Sequence, residues 1–197
     1  MAFLKKLLKE LRPPIRILDL GGTQEFWEDT DCLPLPGIKV VLFNLGKSEV
    51  RAKGFSQISG DVRDLSQFGD AEFDIVFSNS LLEHLGGLAD QRRAAEEIRR
   101  VGRRYFIQTP NLFFPIEPHF VFPFFQFLPK RVQVFFLMHF NLGWYLKQSK
   151  KEDACAILSA IRLLRRSELS SMFPDGVFYD EKVFGLTKSF IVYKWNN

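Results

Sequence analysis

The chain is short of cysteine, of uninterrupted apolar runs and of dense basic blocks, and each shortage removes a class of function. Of its 197 residues only two are cysteines, Cys32 and Cys155, far apart and outside any C-x-x-C pair. Neither a disulfide framework nor a thiolate zinc site is expected, and a reducing compartment is the default setting. No stretch supplies the roughly 20 consecutive apolar residues of a membrane span. A signal peptide is not expected either, because no long apolar core leads to a small-residue cleavage site. The net charge is +4 and the pI about 9.1, with the basic residues dispersed, so no nucleic-acid partner is expected.

What the chain has in excess is phenylalanine, 22 copies. That is enough apolar area for a core and for an additional apolar surface or pocket. Residues 1–14 are expected to form an N-terminal amphipathic helix, with Phe3, Leu4, Leu7, Leu8 and Leu11 on one stripe and Lys5, Lys6 and Lys9 opposite. It is either packed on the domain or laid on a membrane surface. Pro13-Pro14 ends it.

Short apolar runs then alternate with helical patterns. Ile15 to Leu20, Ile38 to Phe43, Phe55 to Ile58, Phe73 to Phe77 and Tyr105 to Gln108 read as strands. Gln24 to Asp29 reads as a short helix, Pro34, Pro36 and Gly37 as a break, and Leu88 to Gly102 as a helix that the glycine stops. Thr109-Pro110 is expected to halt the fifth strand. Val177 to Phe184 and Lys188 to Lys194 read as a hairpin. The pattern predicts a doubly wound α/β fold: a Rossmann-like, seven-stranded, mostly parallel sheet with a C-terminal antiparallel pair, in three α/β/α layers. One domain over residues 15–197 is expected, with residues 112–145 as an aromatic insertion capping the site. The prolines at 115, 118, 123 and 129 keep that insertion from being one long helix.

Polar groups gather at consecutive strand ends, where ligands bind in such sheets. Asp19-Leu20-Gly21-Gly22-Thr23 closes the first strand with a glycine turn and a helix start, a place where backbone N–H groups can approach an anionic group. Thr23 and Glu25 interrupt the G-x-G-x-x-G pattern, which counts against a nucleotide-linked oxidoreductase. Asn44 ends the second strand, where a ribose-binding acid is usual. Gly60-Asp61-Val62 follows the third strand, and Ser78-Asn79-Ser80 ends the fourth.

These residues resemble the class I S-adenosylmethionine-dependent methyltransferases, in particular their small stand-alone members. The resemblance runs from Ile15 to Gln108 and includes the C-terminal pair. It is carried by Leu18-Asp19-Leu20-Gly21-Gly22, by Gly60 to Leu65, and by Phe73-Asp74-Ile75-Val76-Phe77-Ser78-Asn79-Ser80-Leu81-Leu82-Glu83-His84-Leu85. It implies S-adenosylmethionine as cofactor, with Asp19, Gly21, Gly22 and Thr23 around its methionine end. It also implies Asn44 on the ribose, Asp61 and Val62 on adenine, and Ser78, Asn79 and Ser80 beside the transferred methyl. The first motif is one glycine short and Asn44 replaces an acid; both predict a weaker hold on the cofactor.

His119 and His84 are the candidate catalytic groups. His119 follows the fifth strand, where it can reach the site as a base or acceptor-orienting group. Some relatives use Glu and His at the place of Glu83-His84 to hold a divalent metal. Ser80 stands where they carry a second Glu, so the set is incomplete and no metal is assigned. His139, among Phe136, Leu137, Met138 and Phe140, reads as a packing residue. The expected activity is methyl transfer to an oxygen or nitrogen of a small-molecule or lipid-linked acceptor, in the cytoplasm, with peripheral membrane contact as a further expectation. The alternative is a non-catalytic binding or scaffold protein that uses the aromatic segment as an interface.

Overall fold

The alternation of strand and helix patterns is realised in a computed structural model that describes residues 2–29, 37–46 and 49–195. Cys32, Pro34 and Pro36 lie outside the described residues. In chain order the elements are α1 (Ala2–Leu8), β1 (Ile15–Leu20), α2 (Gln24–Asp29), β2 (Ile38–Asn44), β3 (Phe55–Ser59), β4 (Phe73–Asn79), α3 (Leu88–Val101) and β5 (Gly102–Pro110). They continue with β6 (Ile116–Glu117), β7 (Phe122–Pro123), α4 (Lys130–His139), α5 (Lys151–Ser159), α6 (Arg166–Met172), β8 (Val177–Val183) and β9 (Leu186–Lys194). The sheet has seven strands in the order β3-β2-β1-β4-β5-β9-β8. Strands β1 to β5 pair in parallel, and β9 joins antiparallel to both β5 and β8. Sequence order reverses between β1 and β4, so the ligand-binding crevice of such a sheet falls at the carboxyl ends of those two strands.

Strand periodicity decides the layers. Leu18 and Leu20 of β1, Val41 and Phe43 of β2 and Val76 of β4 face α3 and α6, where they meet Ala94, Ile98, Leu169 and Phe173. The alternate residues Ile15, Ile17, Val40, Leu42, Ile75 and Phe77 face the other way, onto α1 and Trp27 of α2. Both faces of the sheet are therefore covered, as a parallel sheet requires.

The N-terminal helix belongs to this second layer. Leu4, Leu7 and Leu8 are buried in the same cluster as Trp27, Ile191 and Trp195, and Phe3 stacks on Tyr179 with centroids 4.6 Å apart. Uncovering one such leucine costs about 2–5 kcal/mol, whereas an anionic membrane offers about 1 kcal/mol per basic side chain. The stripe thus docks α1 on the domain rather than on a bilayer.

Both ends of β5 differ from the sequence expectation. Helix α3 does end at Gly102, but that residue has extended dihedrals (φ −102°, ψ 131°) and opens β5 directly. Its bareness serves packing, since a Cβ there would lie 2.7 Å from the Val76 Cγ2 atom. Thr109 and Pro110 do not halt β5. They continue it, because pairing with Phe190 and Ser189 of β9 carries the strand to its end.

The aromatic segment forms its own small core. Phe120, Phe125, Val134, Leu137 and Leu142 pack with Ala154 of α5, and the cluster continues through Leu158 to Ile161, past the expected end at residue 145. Phe113, Phe124, Phe127, Phe135, Phe140 and Trp144 remain exposed. No helix of the described residues is long and apolar enough to cross a membrane.

Candidate functional site

The carboxyl ends of β1 and β2 and the turn after β3 are stitched together by backbone and side-chain hydrogen bonds. Gly21 N–H donates to the Phe43 carbonyl at 3.0 Å, Asn44 Nδ2 to the Gly22 carbonyl at 2.9 Å, and Gly60 N–H to the Asn44 carbonyl at 2.9 Å. They frame a cavity of about 420 Å³ lined by Gly21, Phe43, Asn44, Asp61, Val62, Arg63, Leu81 and His84, among others. That volume lies in the roughly 300–1,000 Å³ range of small-molecule pockets. Gly21 has φ +78°, and a Cβ on it would lie 2.9 Å from Leu81 Cδ1. The residue keeps the backbone of the turn bare toward the cavity.

Asp19 lies beneath this turn, on the strand face that α2 covers, and is wholly buried. Trp27 Nε1 donates to its Oδ2 at 2.6 Å, while Oδ1 has no partner. Burial pushes the carboxyl up to about 7, against the opposing pull of the Trp27 hydrogen bond. Gly22 is required by this arrangement: a Cβ on it would stand 1.8 Å from Asp19 Oδ2. Its place in the motif thus follows from a buried carboxylate and not only from ligand approach.

The other expected cofactor residues divide. Asn44, Asp61 and Val62 share the Gly21 cavity. Both Asp61 oxygens are already engaged by Arg63, through its backbone N–H, its Nε and its Nη2 at 2.5–3.0 Å. The Arg63 guanidinium holds the Asp61 carboxyl below its ordinary range. Thr23 Oγ1 accepts from Phe26 N–H at 3.3 Å and so caps α2; it does not line this cavity. Ser78 is buried with its Oγ unpartnered, and Asn79 is exposed. Ser80 sits in the left-handed region at φ +55°, with Oγ donating to Gln108 Oε1 at 2.9 Å. Such a strained turn at a strand end is a common mark of a functional site.

Beyond β4, a 3-10 turn spans Leu82–His84. Glu83 is fully buried there: Thr109 Oγ1 donates to its Oε2 at 2.9 Å, and Oε1 has no partner. Burial pushes this carboxyl up to about 7. The following side chain, His84, meets His119 from the β6–β7 hairpin, with Nε2 atoms 3.2 Å apart and rings at 90°. Burial, and then the neighbouring His119, lower the His84 pKa. His119 Nδ1 faces Glu117 Oε1 at 2.7 Å, and the other Glu117 oxygen accepts from the N–H groups of His119 and Phe120 at 2.7 and 2.8 Å. The ligand atoms of Glu83, His84 and His119 all lie within 4.8 Å of one another. His139 takes no part; its Nδ1 lies 2.7 Å from the Phe135 carbonyl on α4.

Glu117 and Thr109 are the residues that reading the sequence missed. The only local signal was a glutamate two positions before a histidine. Glu117 also lines a second cavity, of about 350 Å³, with Phe120, Gln126, Ile161, Arg162 and Glu168. The Glu117, His119 and His84 chain therefore runs from the second cavity to the Gly21 cavity.

A family model described as a methyltransferase domain matches residues 36–105. No curated protein sequence matches the chain. Among solved structures, the CurJ carbon methyltransferase superposes with a TM-score of 0.59 at 11% identity, over 96% of this chain and 51% of that one. The chain thus spans about half the length of that protein. A SAM-dependent methyltransferase from Aquifex aeolicus gives 0.55 at 14% identity, over 96% and 87% of the two chains. One from Methanosarcina mazei gives 0.52 at 12% identity, over 95% of each. The family-model match is confined to residues 36–105, and across the whole chain the likeness to these S-adenosylmethionine-dependent methyltransferases is, at such identities, one of fold.

Proposed function

We propose that the protein transfers a methyl group from S-adenosylmethionine to an oxygen or nitrogen of a small or lipid-linked acceptor. The observation that carries this reading is the convergence of Gly21, Asn44 and Asp61 on one cavity at the switch point of the sheet. S-adenosylmethionine, when bound, supplies an electrophilic sulfonium methyl. The bare backbone at Gly21 receives the methionine end, over the Asp19 carboxylate and Gly22. Asn44 would hold the ribose side, Asp61 and Val62 the adenine side, and Ser78 to Ser80 would border the reacting end.

The acceptor is read into the second cavity, whose walls combine Phe120, Phe125 and Ile161 with Gln126 and Arg162. Its heteroatom would face His119, whose tautomer Glu117 sets by receiving the Nδ1 proton. Residues 112–145, extended by α5, act as the cap that keeps water from this junction. The exposed Phe113, Phe127, Phe135 and Trp144, together with Lys130 and Arg131 in the first turn of α4, favour an amphiphilic acceptor collected at an anionic membrane surface. Calorimetric titration of the pure protein with S-adenosylmethionine and with its demethylated product tests the reading. Saturable binding of both is expected, and no heat together with no shift in melting temperature overturns it.

A further inference from the structure

We propose that the tip of the β8–β9 hairpin, Val183 to Leu186, inserts into an anionic lipid bilayer and holds the carboxyl edge of the sheet against it. This rests on the membrane-surface reading given above and adds an anchor outside the acceptor site. The turn itself carries the first argument. Val183 pairs with Leu186, so only Phe184 and Gly185 connect the two strands. Both take positive φ, +51° and +80°, as a type I′ hairpin turn demands. Asparagine, aspartate or glycine suits the first of these positions, and a phenylalanine there carries left-handed strain. Packing does not offset that strain, because the Phe184 side chain is wholly exposed. Val183 and Leu186 beside it are exposed as well. An apolar side chain that strains its turn and buries itself against nothing in its own fold is placed for a contact outside it.

The tip projects from the edge that carries the site. Strand β9 runs antiparallel to β5, and Ser189 is level with both Pro110 and Glu181, so residues 182–188 extend beyond the carboxyl end of β5. Asn111 fastens the base of the tip to the start of the cap. Its N–H donates to the Lys188 carbonyl at 3.0 Å and its Nδ2 to the Thr187 carbonyl at 2.8 Å, while its Oδ1 accepts from Phe113 N–H at 3.0 Å. The exposed Phe184 and the exposed Phe113 thus leave from neighbouring points of one sheet edge. Charge selects the occupant. Lys182 and Lys188 flank the apolar tip, both are exposed, and neither has a carboxylate partner among the described residues. The neighbouring carboxylate, Glu181, is already engaged: Ser189 Oγ donates to it at 2.5 Å and Gln108 Nε2 at 3.4 Å. An apolar turn between two lysines suits the boundary of an anionic bilayer. The ring enters the acyl region, and the lysine stems lie along it while their ammonium groups reach the headgroups. A protein pocket for Phe184 would not call for that basic collar. Stable anchoring takes two signals, and the tip supplies one beside the aromatic cap.

The test uses the full-length protein without S-adenosylmethionine, sedimented with vesicles of phosphatidylglycerol and phosphatidylcholine or of phosphatidylcholine alone. Phe184→Asn should weaken binding to the anionic vesicles about 10-fold or more. Its melting temperature should stay level or rise, because asparagine suits the left-handed turn. Lys182→Glu with Lys188→Glu should also weaken binding, by a factor that shrinks as salt is added. Depth is read with Phe184→Trp in a Trp144→Phe background, where the remaining Trp27 and Trp195 are buried. Brominated lipids should quench the fluorescence that the substitution at 184 adds. Vesicle affinity unchanged in Phe184→Asn, or added fluorescence that brominated lipids leave intact, overturns the proposal. Binding that survives Phe184→Asn and is lost in Phe135→Ser with Trp144→Ser assigns the membrane contact to the cap alone, which removes the tip and keeps the membrane-surface reading. Self-association lost in Phe184→Asn, with no vesicle binding by the parent, overturns it in favour of a protein contact. These readouts need no cofactor, so an S-adenosylmethionine titration that fails removes the methyl-transfer reading and leaves a quenched, vesicle-bound tip standing.

Discussion

Replacing Asp19 by asparagine keeps the outline of the side chain and removes its charge, so it isolates what that buried charge costs. Burial raises the carboxyl from 3.8 to about 7, and each unit is worth about 1.36 kcal/mol between the two protonation states. A rise of about 3 units makes the ionised carboxylate destabilising by about 4 kcal/mol. The folded-state value is the higher one, so the native state keeps the proton longer than the unfolded chain. Stability from this group is full below the unfolded value of 3.8, declines as pH rises, and is wholly lost above about 7. An amide carbonyl can still accept from Trp27 Nε1, but its NH₂ falls where Oδ1 has no partner. That unpaired donor costs about 1–3 kcal/mol. At pH 8, Asp19→Asn should therefore be more stable than the parent by about 1–3 kcal/mol, a rise in melting temperature of about 2–4 °C per kcal/mol. The advantage should vanish at pH 4. Urea unfolding at both pH values measures it. Parallel stability profiles for the two proteins, with no pH-dependent difference, would refute the buried-charge reasoning.

Four further outcomes are expected. Gly21→Val should abolish S-adenosylmethionine binding in calorimetry, at a cost of about 1–2 kcal/mol in stability for the left-handed backbone; full affinity in that variant would remove Gly21 from the cradle. Asn44→Asp exchanges the donor that holds the Gly22 carbonyl for an acceptor. It should lose cofactor affinity at least as much as Asn44→Ala, about 1 kcal/mol or more, and tighter binding by the aspartate would argue against this tie. His119→Ala should lower turnover with cofactor affinity nearly unchanged; a loss of cofactor binding instead would make the residue structural. The parent protein should sediment with anionic liposomes at low salt, and the double variant Phe135→Ser with Trp144→Ser should stay in the supernatant. A parent that never sediments contradicts the membrane-surface reading.

Much of the architecture was legible because it rests on local periodicity. Ile15–Leu20 and Ile38–Asn44 are apolar runs of strand length, and the helical face of Leu88–Val101 repeats at the right spacing. Gly21 announces a turn because its φ of +78° suits a residue without Cβ. Strand ends were less legible. Whether Thr109 and Pro110 extend β5 depends on β9, roughly 80 residues later, and an antiparallel partner overrides the local signal of a proline.

The sequence by itself determined the layering of the sheet and the grouping of polar residues at its carboxyl ends, since both follow from which side chains alternate along a strand. Only the tertiary structure decided what those polar residues touch. Asn44 lines the cavity as a ribose ligand would, and the fold also ties its amide Nδ2 to the Gly22 carbonyl. Asp61 looked free for adenine, and Arg63 occupies both its oxygens. Glu83 and His84 looked like an incomplete pair until the hairpin carrying Glu117 and His119 folded back over them, joining residues 35 positions apart. Such partnerships leave no periodic trace, because the distance between two side chains from different elements is set by how those elements pack and not by their spacing along the chain.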